Sequence, residues 1–194
     1  VLDCVVPLEV DLFGESGRNG ELAFERTFAA CAADAACAEK YPDPMAELLS
    51  VVAAFEEDPV RACGEQVRGA DLVNILFNLL YSPYAMAFVP RIIHELAEGN
   101  TGLFEDLSCA LGSANFSFPM HLSLQCAEEI SFTSAEAMEA LDAEVRPELR
   151  PGLSAAVYLS YCEDWPVPPA PPLENEPVSS SLPTLVFAGY FDPI

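Results

Sequence analysis

Positive charge is scarce in this chain. Its 194 residues hold 8 lysines and arginines against 31 aspartates and glutamates, a net charge of −23. The pI is near 4.1. Such a surface repels phosphate backbones, which argues against nucleic-acid binding, and it disfavours anionic membranes for the same reason. It suits solubility and, weakly, cationic or amine-bearing ligands. Long apolar runs are missing too, so no segment is read as spanning a bilayer. Nor is there a signal peptide. Val1 opens inside an apolar, strand-like run, so the chain is expected to begin mid-protein, and the missing signal says nothing about the full-length product.

Metal and cofactor signals are equally thin. His94 and His121 are the only histidines, and the seven cysteines fit no C-x-x-C pattern. A metal site is therefore a poor reading. Gly14, Gly17 and Gly20 are wrongly spaced for G-x-G-x-x-G and lack a strand-to-helix setting, so no cofactor is expected. No G-x-S-x-G nucleophile elbow exists: Gly14-Glu15-Ser16-Gly17 has the wrong spacing and no strand before it. No internal repeat is found.

What is present is apolar material, 52% of the chain. That is enough for one sizeable core, or for one domain plus flanking pieces. Seven cysteines are many for a cytosolic protein of this size. Disulfides in an exported protein read better, with an odd thiol left over.

Most of the chain reads as helix. Residues 8–20 are turn-rich and read as a loop. Glu21 to Ala32 is helical in composition, with Leu22, Glu25, Phe28 and Ala29 at helical spacing. Cys31 and Cys37 would lie roughly 9 Å apart on one straight helix, too far to bridge, so a bridge needs a break near Asp34. Asp43-Pro44 opens a helix carrying Met45, Leu48, Leu49, Val52 and Phe55, which Pro59 ends. Residues 60–69 read as a loop or short strand. Residues 70–81 are apolar on two faces and read as a central helix, with Asn74 and Asn78 as a polar seam for neighbouring backbone. Ser82-Pro83 caps a helix that is expected to kink at Pro90 and stop at Gly99-Asn100. A short helix follows over 101–111 and a loop over 112–119. Thr133 and Glu136 read as a capping box, and 153–162 as another short helix. The proline-rich stretch 166–181 reads as an extended linker.

The two ends differ from the middle. Leu185 to Ala188 is apolar without alternation, as in a parallel strand buried on both faces. Pro183 stands at its start and Gly189 at its end. Asp192 follows, where α/β enzymes keep their chemistry, just past the carboxyl end of a strand. The segment PTLVFAGYFDPI (183–194) resembles the strand and loop that carry the triad acid in α/β-hydrolases of the tripeptidyl aminopeptidase-like and prolyl aminopeptidase-like serine peptidases. VLDCVVP (1–7) resembles the strand after the nucleophile helix in that family, with Cys4 in place of a small residue. FAACAADAACAEKYPD (28–43), FVPRIIHELAEGN (88–100), MHLSLQCAEEI (120–130) and CEDWP (162–166) resemble segments of its cap. The resemblance covers nearly the whole chain.

The resemblance implies a mostly α architecture: a helical cap inserted in an α/β-hydrolase fold, with one short sheet strand at each end. Residues 1–7 would be a strand of the hydrolase sheet, 8–165 the cap, 166–181 the linker, and 182–194 the strand and triad-acid loop. A further strand is considered near 120–126. Asp192 is the implied triad acid, while serine and histidine would precede residue 1 and follow residue 194. The fragment alone is then inactive. The family's cap selects short peptide or aminoacyl substrates with a free N-terminus. Glu128 is the first choice and Glu129 the second to pair the ammonium. Tyr158 and Trp165 are candidate pocket residues, as are Phe116, Phe118 and Met120, while cap packing is the ordinary reading of each aromatic. His121 is read as pocket lining or packing. Bridges Cys31–Cys37 and Cys126–Cys162 are implied. Cys4, Cys63 and Cys109 are either free or form one more pair. The other readings are the cap of an esterase, or an interaction module whose exposed terminal strands pair with a second copy into a homodimer.

Overall fold

Asp34 ends one helix and starts the next. In the computed structural model, which describes residues 1–3, 5–111 and 116–193, helix α1 spans Ser16–Ala33 and α2 Ala35–Lys40. Asp34 leaves helical geometry at φ −96°, ψ 120°, and its carboxylate accepts the Cys37 N–H at 2.9 Å. That side-chain cap satisfies a donor the helix leaves orphaned. The break brings the Cα atoms of Cys31 and Cys37 to 5.2 Å, and the two are bridged. α1 begins earlier than its composition suggests, so part of the expected 8–20 loop is helical. It buries Gly17, Gly20, Ala23, Phe24, Thr27, Phe28 and Cys31. Leu22 and Ala29, at helical spacing with Phe28, are exposed. The small residues of the first turns face the core, which rotates the buried stripe away from Leu22.

Helix α3 (Pro44–Glu57) is capped by Asp43, which accepts the Ala46 N–H at 3.1 Å, and buries Leu48, Val51, Val52 and Phe55. Strands β2 (Val60–Ala62) and β3 (Glu65–Val67) then form an antiparallel hairpin. Both turn residues, Cys63 and Gly64, have positive φ (54° and 86°), the geometry that matches the twist of the flanking strands. Cys63 is bridged to Cys109 on α7 (Gly102–Leu111), closing the alternative left open in the sequence. Cys4 lies outside the described residues, as does part of the loop expected over 112–119.

Helix α4 (Gly69–Leu79) is central. Leu72, Val73 and Leu76 are fully buried. Its polar seam meets backbone: Asn74 donates to the Gly152 carbonyl at 3.4 Å and Asn78 to the Asn74 carbonyl at 2.8 Å. After α4 the sequence suggests one helix kinked at Pro90. Two form instead, α5 (Pro83–Met86, capped by Ser82) and α6 (Val89–Ala97). Pro90 sits in the first turn of α6, where a missing N–H costs nothing.

The stretch considered as a strand near 120–126 is helical: α8 spans Phe118–Glu128. Pro119 stands in its first turn, and the leucines, glutamine, alanine and glutamate after it are good helix formers. Helix α9 (Ala135–Asp142) is capped by Ser134, which accepts the Ala137 N–H, rather than by Thr133. The Thr133 hydroxyl is held by Asp11 instead. Short helix α10 (Arg150–Leu153) packs on α4 and α1, and α11 (Val157–Asp164) is bridged to α8 through Cys126–Cys162. The expected single helix over 153–162 is thus split at 154–156. Beyond α11 the chain is exposed at most positions through residue 190.

The ends meet. β1 (Leu2–Asp3) pairs in parallel with β4 (Val186–Phe187), Leu2 opposite Val186 and Asp3 opposite Phe187. Both strands are half exposed, Leu2 by 45% and Phe187 by 52%, rather than buried on both faces. The core is helical, and the two-stranded sheets lie at its margin.

The Cys126–Cys162 bridge spans 36 residues. Replacing both cysteines by alanine is expected to cost about 4 kcal/mol in urea unfolding at equilibrium. Mass mapping of the unreduced chain should recover this pair. His94 gives a second expectation. Its Nδ1 lies 3.0 Å from Glu47 Oε1 and its Nε2 3.8 Å from Glu98. The Glu47 hydrogen bond holds its pKa above the ordinary 6.5. The stabilisation is therefore full below pH 6.5 and is lost as pH rises through the raised value. Thermal midpoints of wild type and His94→Gln should differ most below pH 6.5 and converge at alkaline pH.

Candidate functional site

The loop before α1 folds tightly because Asp11 organises it. Asp11 Oδ1 accepts the Gly14 N–H at 2.7 Å, and its other oxygen accepts the Thr133 hydroxyl. Leu12 and Phe13 are thereby turned toward α11. Phe13 meets the Tyr158 ring edge-on, with centroids 4.7 Å apart. The Tyr158 hydroxyl lies 2.9 Å from His121 Nε2 on α8. Burial, and then Tyr161, push the Tyr158 phenol above its ordinary pKa, so it stays protonated at neutral pH.

These side chains enclose part of a cavity of about 300 Å3. Phe77 and Tyr81 at the end of α4, and Leu153, complete its apolar wall. Asn74, Gln125 and Ser154 add polar atoms, and Pro193 closes one side. Asn74 and Ser16 already donate to carbonyl groups, Ser154 is held by Asp142, and Gln125 Oε1 is buried without a partner. Every described residue lining the cavity is uncharged or a histidine.

Asp192 is half-buried just after β4, its N–H donating to the Gly189 carbonyl at 3.2 Å. Its carboxylate raises the pKa of Tyr81, second to burial. Arg26 secures the turn, donating to the Tyr190 carbonyl at 3.0 Å and lying 5.0 Å above the Tyr190 ring. A second cavity, about 400 Å3, opens here between Val5, Val6, Arg26 and Asp192. Asp192 and Pro193 thus lie between the two.

The remaining sequence candidates scatter. Glu128 is exposed on α8, and Glu129 lines a recess of about 30 Å3 with Glu9, Asp11 and Asn175. Because 120–128 is helical, the alternation of an extended strand does not decide between them. Neither is among the described residues of the first cavity. Trp165 is half-buried outside it, donating to Ser123 Oγ at 3.0 Å. Phe116 and Met120 are largely exposed, though Phe116 leans on His121 at 5.1 Å. Phe118 packs edge-on against Tyr161. The sequence reading missed Phe13, Phe77 and Gln125. Gln125 lies inside a segment singled out for its motif, while Phe13 sits in a stretch read only as loop.

Among the described residues, no three His, Cys, Asp or Glu side chains form a metal-binding group, and no helix is long and apolar enough to cross a membrane. Glu129 has a perturbed carboxyl group. Burial raises its pKa above the ordinary 4.5, and the charges of Glu128 and Asp11 raise it further. A raised carboxyl pKa lowers stability as pH climbs from 4.5 through the folded value. Glu129→Gln is therefore expected to raise the thermal midpoint at pH 7 and to leave it unchanged near pH 3, as calorimetric scans at the two pH values would register. Compared with protein-family models, with curated proteins and with solved structures, the chain finds no match.

Proposed function

We propose that the chain is the substrate-selecting cap and triad-acid segment of a serine hydrolase of the aminopeptidase-like type. One observation carries the reading. Strands β1 and β4 pair in parallel, with the whole helical body inserted between them and Asp192 just past the end of β4. A two-stranded parallel sheet exposed on its faces is marginal by itself, and parallel sheets are normally covered on both sides. This favours its continuation into a larger sheet.

In this reading Asp192 accepts the Nδ1–H of a histidine supplied beyond residue 194, fixing its tautomer and stabilising the imidazolium. That histidine takes the proton of a serine supplied before residue 1. The cap bounds the space above them, so that only short substrates enter. Pairing of a substrate ammonium falls to Glu128 or Glu129, because a buried cation needs a fixed negative partner. Neither histidine of the chain is the base: His94 is engaged with Glu47, and His121 with Tyr158. The uncharged lining of the cavity beside Tyr158 also suits an esterase, and the assay below separates the two.

The full-length gene product should hydrolyse aminoacyl and tripeptidyl amides faster than simple esters, and N-acetylated amides poorly. Asp192→Asn should lower its turnover about 10⁴-fold through the wrong histidine tautomer. A variant that keeps near-full rate would remove the triad assignment. A preference for simple esters would select the esterase reading.

A further inference from the structure

We infer that the cavity between α1, α4, α8 and α11 holds an uncharged apolar side chain of the substrate, aromatic or branched aliphatic, whose adjacent amide N–H donates to Gln125 Oε1. The inference rests on the serine-hydrolase reading and names the substrate class of that site.

Three observations carry it. Gln125 Oε1 is buried and has no hydrogen-bond partner. A buried acceptor without a donor is unfavourable, and turning the Gln125 amide into the cavity its side chain lines lets a ligand N–H relieve it. Several other polar groups around it are engaged: Ser16 and Asn74 donate to carbonyls, His121 meets Tyr158, and Ser154 meets Asp142. The size is the second observation. The cavity measures about 300 Å3, and about 150 Å3 with an apolar lining is enough to hold a benzene ring. The third is charge. No Asp, Glu, Lys or Arg is among the described lining residues, so a charged side chain buried there would be unpaired.

Position ties the cavity to the chemistry. Pro193, next in sequence to Asp192, lines it, and Tyr81 on its wall feels the Asp192 carboxylate. A side chain held there keeps its own peptide group beside the acid. The carboxylates of Glu128 and Glu129 lie elsewhere, so the cavity sorts side chains and leaves the ammonium to another part of the cap.

Isothermal titration calorimetry of the 194-residue chain tests this without any need for catalysis. The probes are N-acetyl-L-phenylalanine methyl ester, its N-methylated form, and the glycine and aspartate counterparts. The phenylalanine ester should bind saturably, and the glycine and aspartate esters at least about tenfold more weakly. N-methylation should cost about tenfold, the worth of one hydrogen bond. Gln125→Met should weaken the phenylalanine ester by a similar factor and barely affect its N-methylated form. Equal affinity for the phenylalanine and aspartate esters overturns the inference, as does absence of saturable binding, or an equal effect of Gln125→Met on both phenylalanine ligands. Should that variant not fold, the probe series on the native chain decides alone. A full-length product without hydrolytic activity, beside a chain that binds as expected, removes the hydrolase reading and keeps the cavity's selectivity. An active product beside a chain that does not bind does the reverse.

Discussion

Gly152 sits against the backbone of α4, and this contact governs much of the structure. A Cβ at that position would lie 2.4 Å from the Ala70 carbonyl oxygen and 2.6 Å from Val73 Cβ, so only glycine permits the approach. Leu149 and Leu153, to either side, are thereby pressed into the core. α4 buries Leu72, Val73 and Leu76 completely, and it packs against both α3 and α10. The cavity lined by Phe13 and Tyr158 opens at the edge of this junction. Gly152, Leu153, Asn74 and Phe77 belong to both the packing and the cavity wall. Its shape is therefore set by core contacts, which cannot shift without cost in a close-packed interior.

Charge works against compaction here. A net charge of −23 repels itself, and the chain answers with a few concentrated contacts. Arg146 holds two glutamates of α1, Glu21 and Glu25. Three disulfides tie α1 to α2, the hairpin to α7, and α8 to α11. The last of these joins elements that bury little apolar surface of their own: α11 has no fully buried residue. Cross-links matter most where the core is thin. Three bridges also fit an oxidising, extracellular environment.

The cavity and the terminal strands meet at Asp192-Pro193. Pro193 faces the helical body, while Asp192 faces the second cavity beside Val5 and Val6. The arrangement depends on Arg26 of α1, which holds the Tyr190 carbonyl and covers its ring. One cation on the body thus fixes the turn that carries the acid. Where positive charge is so sparse, a cation over an aromatic face and on a carbonyl is a specific contact rather than one of many.

Local chemistry made part of this legible in the sequence. Asp34, Asp43-Pro44 and Ser82-Pro83 act within three residues of themselves, so their caps follow from residue type and spacing. A short sheet strand at each end and the bridges Cys31–Cys37 and Cys126–Cys162 were expected through motif resemblance, and the structure contains them. Of the site, Tyr158 and His121 had been named. Phe13 and Gln125 had not, because nothing local marks a loop aromatic as a wall or an amide as lacking a partner. Tertiary contacts decided the rest. They chose which face of α1 turns inward and gave Thr133 to Asp11 instead of to a helix end. They paired Cys63 with Cys109 and left Gln125 Oε1 enclosed. Each of these depends on atoms distant in sequence arriving at one place, and short-range spacing carries no information about such meetings.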